Sequence, residues 1–179
     1  MVDPTIDLTL RTALALLFVV AATHKLRDVA AFQATVADYR LVPEALAGAV
    51  ALGVPLAEIA VALLLVAPGA SALGKIGAAG LLVVYGTAVG VNLVRGRRHI
   101  DCGCAGPHAR RPIGWGIVVR NALVAAAALA ALARVHPRPL VWVDALTVSG
   151  AVLALAALHA AADRLMAHGP ALARLREAA

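Results

Sequence analysis

The sequence predicts an all-α, polytopic membrane helical bundle, with a four-helix core and a fifth transmembrane helix beside it. Three observations predict this. First, the 179-residue chain is 62% hydrophobic, its mean hydropathy is +0.88, and only 15% of its residues are charged. Soluble domains carry roughly 45–50% apolar and about 25% charged residues, so the apolar surplus calls for lipid as its solvent. Second, the apolar residues gather into five runs near the length needed to cross a bilayer, about 20 residues of helix. Third, the period-two alternation of membrane strands is absent, and a helix satisfies its own backbone groups in lipid.

The runs follow in order. Residues 6–23 form the first, with Arg11 near its start reaching toward the interface. No basic region precedes this run and no clear small-residue cleavage site follows, so it reads as a first membrane helix rather than a removed signal. Residues 46–67 form the second, interrupted by Glu58. Residues 71–94 form the third, with Lys75 near one end. Residues 113–133 form the fourth, with Arg120 inside, and residues 140–162 the fifth, with Asp144 near its start. Gly86 and Gly90 make a GxxxG in the third run, and Gly74, Gly77 and Gly80 recur at three-residue spacing; such small residues let helices approach closely. Residues 1–134 read as the four-helix membrane unit, and residues 135–179 as an added helix with a polar tail.

The net charge is +6. Nucleic acid is excluded as a partner because the arginines lie between apolar runs and aromatic residues are few. The lipid bilayer is the expected partner, met by loop cations. Five spans put Arg11, Lys75, Arg134 and Arg138 on the N-terminal side and eleven Lys and Arg residues on the other. The positive-inside rule then places the loop between the third and fourth runs, and the C-terminus, on the cytoplasmic face of the cell membrane. Trp115 and Trp142 fall at opposite interfaces, as in an aromatic belt.

That loop, "RGRRHIDCGCAGPHARRPIG", holds both cysteines, Cys102 and Cys104, with Gly103 between them. A disulfide closed at this spacing would be strained and easily reduced. Gly103 and Gly106 permit a tight turn. Arg97 and Arg98 would favour the nucleophilic thiolate, while Asp101 opposes it. Three readings stay open: a redox-active pair, a Cu(I) or Zn(II) site made by Cys102 and Cys104 with His99 or His108, and two inert thiols. The pairing of both cysteines, with none spent elsewhere, favours redox exchange.

Ionisable groups inside a membrane are costly and often functional. His24 ends the first run, Asn92 ends the third, Arg95 follows it, and Arg120 and Asn121 lie within the fourth. A Glu58–Arg120 pair would neutralise both charges within the bundle. The pair reads either as structural glue or, with His24, Asn92, Arg95 and Asn121, as part of a polar pocket beneath the cysteine loop. Lys25, Arg11 and Lys75 are expected at the interfaces as anchors.

"HKL" at residues 24–26, Phe32, Tyr39, "LVP" at 41–43, "PLAE" at 55–58, "NLVRG" at 92–96, "DCGCAG" at 101–106 and "RNALV" at 120–124 together resemble the MauE branch of the DoxX-like membrane proteins, the methylamine-utilisation family. The resemblance spans roughly residues 8–134. Ala105 stands where that family often has an aromatic residue. The resemblance implies a four-helix membrane bundle with a redox role in maturing the methylamine dehydrogenase light subunit, and a thioredoxin-like protein or client as partner. A quinone would serve as electron sink, although no residue demands one. Maturation of that subunit takes place outside the cytoplasm, which opposes the charge count. An electron relay from cytoplasmic thiols fits the count, and an inverted topology fits direct action on a secreted client. A non-enzymatic membrane assembly factor is the alternative, with a small transporter using Glu58 and Arg120 behind it.

Overall fold

In the computed structural model, residues 2–103, 112–136 and 138–177 are described, with side chains to residue 165. They form six helices: α1 (Pro4–Arg27), α2 (Val29–Tyr39), α3 (Ala47–Val66), α4 (Ser71–Val94), α5 (Trp115–Ala130) and α6 (Trp142–Glu177), with a 3-10 turn at Glu44–Leu46 before α3. The Asp3 carboxylate accepts from the Thr5 amide to cap α1, and His24, Lys25 and Arg27 fill its last turn, opposite the negative end of the helix dipole. Asp28 caps α2 in the same way through the Ala31 amide. That helix ends at Arg40 in a left-handed conformation, φ 48°.

Four helices are long and apolar enough to cross a membrane: Pro4–Arg27, Glu44–Val66, Ser71–Val94 and Trp142–Leu165. The chain is thus an all-α, multi-pass membrane bundle. The fourth apolar run departs from expectation. Its helix is only the 16 residues of α5, about 24 Å long against a hydrocarbon core of about 30 Å. Gly114 precedes the helix in extended backbone and Ala131 turns out of it, which trims the run at both ends.

Each core helix buries one stripe. On α1 it runs through Asp7, Leu14, Phe18, Ala22 and Lys25; on α3 through Ala47, Ala51, Pro55, Glu58, Ala62 and Leu65; on α5 through Ile117, Asn121, Ala125 and Ala128. Steps of three, four or seven residues keep each stripe on one helical face. α1 packs on α3, α3 on α4 and α4 on α5, while α2 lies against α3 and α6 against α1. Leu14, Phe18, Val61, Leu65, Leu82 and Ala128 meet in the central core. The outward faces carry exposed Leu52, Leu56, Leu63, Val84, Leu123 and Leu153. Water would penalise such faces and hydrocarbon does not.

The glycines divide sharply. A Cβ at Gly74 would lie 2.5 Å from the Leu65 amide nitrogen, and one at Gly77 would lie 2.9 Å from Val61, so these two permit the α3–α4 contact. The GxxxG pair does less. Gly86 faces Asn121 of α5 with room for a methyl group, and Gly90 meets nothing within 4 Å.

Two expected anchors are buried instead. Lys75 is 5% exposed and Lys25 is 4% exposed. Lys75 pairs with Asp7 and donates to the Ala131 carbonyl at 2.7 Å. Arg11 donates to the Leu65 carbonyl at 2.7 Å, so it joins the same network rather than snorkelling away from it. α6 is held near both ends of its apolar stretch. Arg138 bridges Asp3 at 2.9 Å and Asp144 at 2.7 Å, and Arg120 of α5 pairs with Asp163.

Candidate functional site

The bundle end opposite the Asp7–Lys75 pair carries the cysteine loop. Its stem is closed by the Ile113 amide donating to the Ile100 carbonyl at 3.1 Å, and Asp101 pairs with Pro112 in a short antiparallel bridge. Ile100, Ile113, Ile117, Val89 and Leu93 bury one another here, and Tyr39 and Cys102 pack at the edge of this cluster. Burial of these β-branched and leucine side chains is what holds the stem to α4 and α5.

Gly103 takes φ +72°, the left-handed region. A Cβ there would lie 3.0 Å from Thr35 Cγ2 and 3.5 Å from the Phe32 ring, so the loop rests directly on α2. The Asp101 carboxylate accepts from the Gly103 amide at 3.2 Å and fixes the turn. Cys102 is thereby held half-buried at the lip of the bundle. Cys104 and His108 lie outside the described residues.

Arg97 is committed to this scaffold. Its guanidinium donates to Asn92 Oδ1 at 3.0 Å and to the Tyr39 carbonyl at 3.4 Å, while Arg95 donates to the Arg40 carbonyl at 3.4 Å. Asn92 is fully buried and also donates to the Ala88 carbonyl at 3.1 Å. These bonds tie the start of the loop to the end of α2, so Arg97 acts first as a tether.

Beneath the loop lies a buried ion pair. Lys25 Nζ donates to Glu58 Oε1 at 2.6 Å, and the Tyr85 hydroxyl donates to the same oxygen at 2.8 Å. The Phe32 and Tyr85 rings each stand 5.5 Å from the ammonium, within cation–π range. Glu58 is 0% exposed, and its Oε2 has no hydrogen-bond partner among the described residues. Phe32 joins the two levels, touching the Gly103 position with its ring edge and flanking Lys25.

The expected Glu58–Arg120 pair is therefore not formed. Lys25 of α1 takes Glu58, and Arg120 turns to Asp163 and, at 3.5 Å, to Asn121. A side chain on a helix leans toward the N-terminus, which carries the Lys25 ammonium from the last turn of α1 into the bundle. The sequence did hold a signal for this: Lys25 continues the buried α1 stripe from Phe18 through Ala22, where an interface anchor would lie off it. Tyr85 was missed as a partner of Glu58, and Phe32 as a neighbour of the Lys25 ammonium. Among the described residues, an apolar groove of about 600 Å³ lies between α4 and α5, lined by Leu82, Gly86, Val94, Trp115 and Val118; it reaches Arg95 but not Glu58 or Arg120. His24 is half-buried at the end of α1. His99 is exposed, and among the described residues no group of three His, Cys, Asp or Glu could hold a metal ion.

A family model described as methylamine utilisation protein MauE matches residues 3–134. The chain is 41% identical over 130 residues to a methylamine utilization protein MauE of Paracoccus denitrificans, covering 73% of this chain and 70% of that one. It is 37% identical over 126 residues to its namesake in Methylorubrum extorquens, covering 70% and 68% of the two chains. With that of Methylophilus methylotrophus, identity is 33% over 154 residues, 86% of this chain and 79% of the other. No solved structure matches the chain.

Proposed function

The chain belongs to the methylamine utilisation protein MauE family, and from that premise we propose that it serves methylamine utilisation as a membrane thiol–disulfide exchange protein. Cys102 and Cys104 cycle between dithiol and disulfide. In the disulfide form, the thiolate of a client dithiol attacks one sulfur of the pair and forms a mixed disulfide. The client's second thiolate resolves it, so the client leaves oxidised and the pair reduced. A thioredoxin-like partner's disulfide reoxidises the pair by the same two displacements in reverse. The methylamine dehydrogenase light subunit is the client proposed. Residues 1–134 carry this chemistry, and α6 with the tail is an added element.

One observation carries the reading: the Cys102–Gly103 segment is seated. The left-handed Gly103, the Asp101 carboxylate and the Arg97 tether hold Cys102 half-buried at the lip of the bundle, on α2. Exchange needs a sulfur that a partner can reach and a geometry already set for attack. Direct exchange with the light subunit needs the loop on the outer side of the membrane, the inverted topology, against the charge count.

The test is growth on methylamine of Paracoccus denitrificans lacking its own MauE. The unaltered chain should restore growth, and the C102S/C104S chain should not. Restoration by the double-serine chain would overturn the exchange chemistry and leave an assembly factor. Failure of the unaltered chain would overturn the assignment to methylamine utilisation.

A further inference from the structure

We propose that the groove between α4 and α5 is a site for one anionic phospholipid, with its phosphodiester on Arg95 and an acyl chain lying along Gly86 and Gly90. The inference is independent of the exchange reading and holds for any chemistry at the cysteines.

The groove follows from the sequence of α4. Gly86 and Gly90 lie one turn apart on one face. A Cβ at Gly90 would meet nothing within 4 Å, and one at Gly86 would come no nearer than 3.6 Å to Asn121. These glycines therefore do not clamp the helices together. They floor an apolar channel of about 600 Å³, with Leu82, Val83, Val94 and Val118 along its sides. Val83 is 55% and Val94 79% exposed, so the channel opens sideways to the bilayer.

Its length matches one leaflet. From Leu82 to Val94 it runs about 18 Å along the helix, close to half of a hydrocarbon core of about 30 Å. Leu82 stands midway along the 24 residues of α4, so the channel starts at the bilayer midplane and ends at the surface on the cysteine-loop side. Arg95 and Trp115 line that mouth. Arg95 is exposed, donates to the Arg40 carbonyl at 3.4 Å, and pairs with no carboxylate among the described residues. Trp115, half exposed, belongs at headgroup depth.

A cation at the mouth of a one-leaflet apolar channel is complementary to an anionic head on a one-leaflet tail. A neutral quinone has no charge for Arg95 to meet. A spanning helix from a second copy would use a face that crosses both leaflets, whereas this channel stops at Leu82. Val118 lines the channel and also packs against the Val89, Leu93 and Ile117 cluster, so the seated lipid braces the stem of the cysteine loop.

The test is native mass spectrometry of the full chain in detergent, titrated with phosphatidylglycerol or with phosphatidylcholine of the same acyl chains. The unaltered chain should hold one phosphatidylglycerol about fivefold more tightly than phosphatidylcholine, the worth of one arginine near a lipid surface. R95Q should bring the two lipids level. G90L, whose side chain grows into open space, should lose both and keep its melting temperature in detergent. R164Q, which removes an exposed cation from α6, should keep the full preference. Equal retention of the two lipids by the unaltered chain overturns the inference. So does phosphatidylglycerol that survives G90L, or that falls as far in R164Q as in R95Q. Decylubiquinone held in preference to phosphatidylglycerol, or a lipid-free dimer that G90L breaks, overturns it in favour of that occupant. R95Q and R164Q decide the headgroup contact whether or not G90L folds.

Discussion

At the scale of single residues, the Lys25–Glu58 pair sets what the bundle end can tolerate. Removing one partner of a buried pair leaves the other charge stranded, which costs about 3–5 kcal/mol, whereas replacing both with apolar groups is often neutral. K25M should therefore lower thermal stability in detergent markedly, and K25M/E58L should recover most of the loss. Gly103 has a second kind of constraint. G103A forces a side chain onto a positive φ and to 3.0 Å from Thr35, so the loop should lift from α2 and Cys102 should react with a maleimide several-fold faster. Outside the membrane, the Arg138 guanidinium, helped by Thr5, holds the Asp3 carboxyl well below its ordinary value of 3.8. The stability this gives is fully present above that value and disappears as pH falls below it. Between about pH 6 and pH 3, R138Q should lose less melting temperature than the unaltered chain. Much of this scale was legible: Glu58, Asn92 and Arg120 stand out as polar residues in apolar runs, and the cysteines as a lone pair in an arginine-rich loop. Their partners were not, because Lys25 meets Glu58 across 33 positions and only the packing of α1 on α3 decides that meeting.

At the scale of elements, the apolar runs marked the spanning helices well because lipid selects for length and hydropathy. The run at 113–133 overreached, since hydropathy cannot see Gly114 and Ala131 ending the helix. α2 went unseen inside a loop. It has only 11 residues, buries none of them fully, and finds its place by lying on α3 and under Gly103. Glycine spacing was a weaker guide still, for the GxxxG at Gly86 and Gly90 is roomy while Gly74 is not. G74A should separate α3 from α4 and lower stability by a few kcal/mol, as overpacking does, while G80A and G90A should leave the melting temperature nearly unchanged.

At the scale of the whole molecule, α6 is attached by ion pairs more than by burial, since only 11% of its apolar window is inside. Asp144 and Asp163 meet Arg138 and Arg120 at points about 28 Å apart along the helix, close to the thickness of the hydrocarbon layer. A double-mutant cycle on R120Q and D163N should return a coupling of about 0.5–3 kcal/mol; additive losses would mean that α6 is held by other contacts. Seen end to end, the molecule has a charge network around Asp7 and Lys75 at one face and, at the other, a charge pair lying under a cysteine loop. The central claim is that this loop exchanges disulfides, and the most direct measurement is the redox state of Cys102 and Cys104 in intact membranes. Thiol mass tags, permeant and impermeant, would be applied before and after reduction. The account predicts a mixture of dithiol and disulfide that moves with the applied redox buffer; thiols that stay reduced at every poise would contradict it.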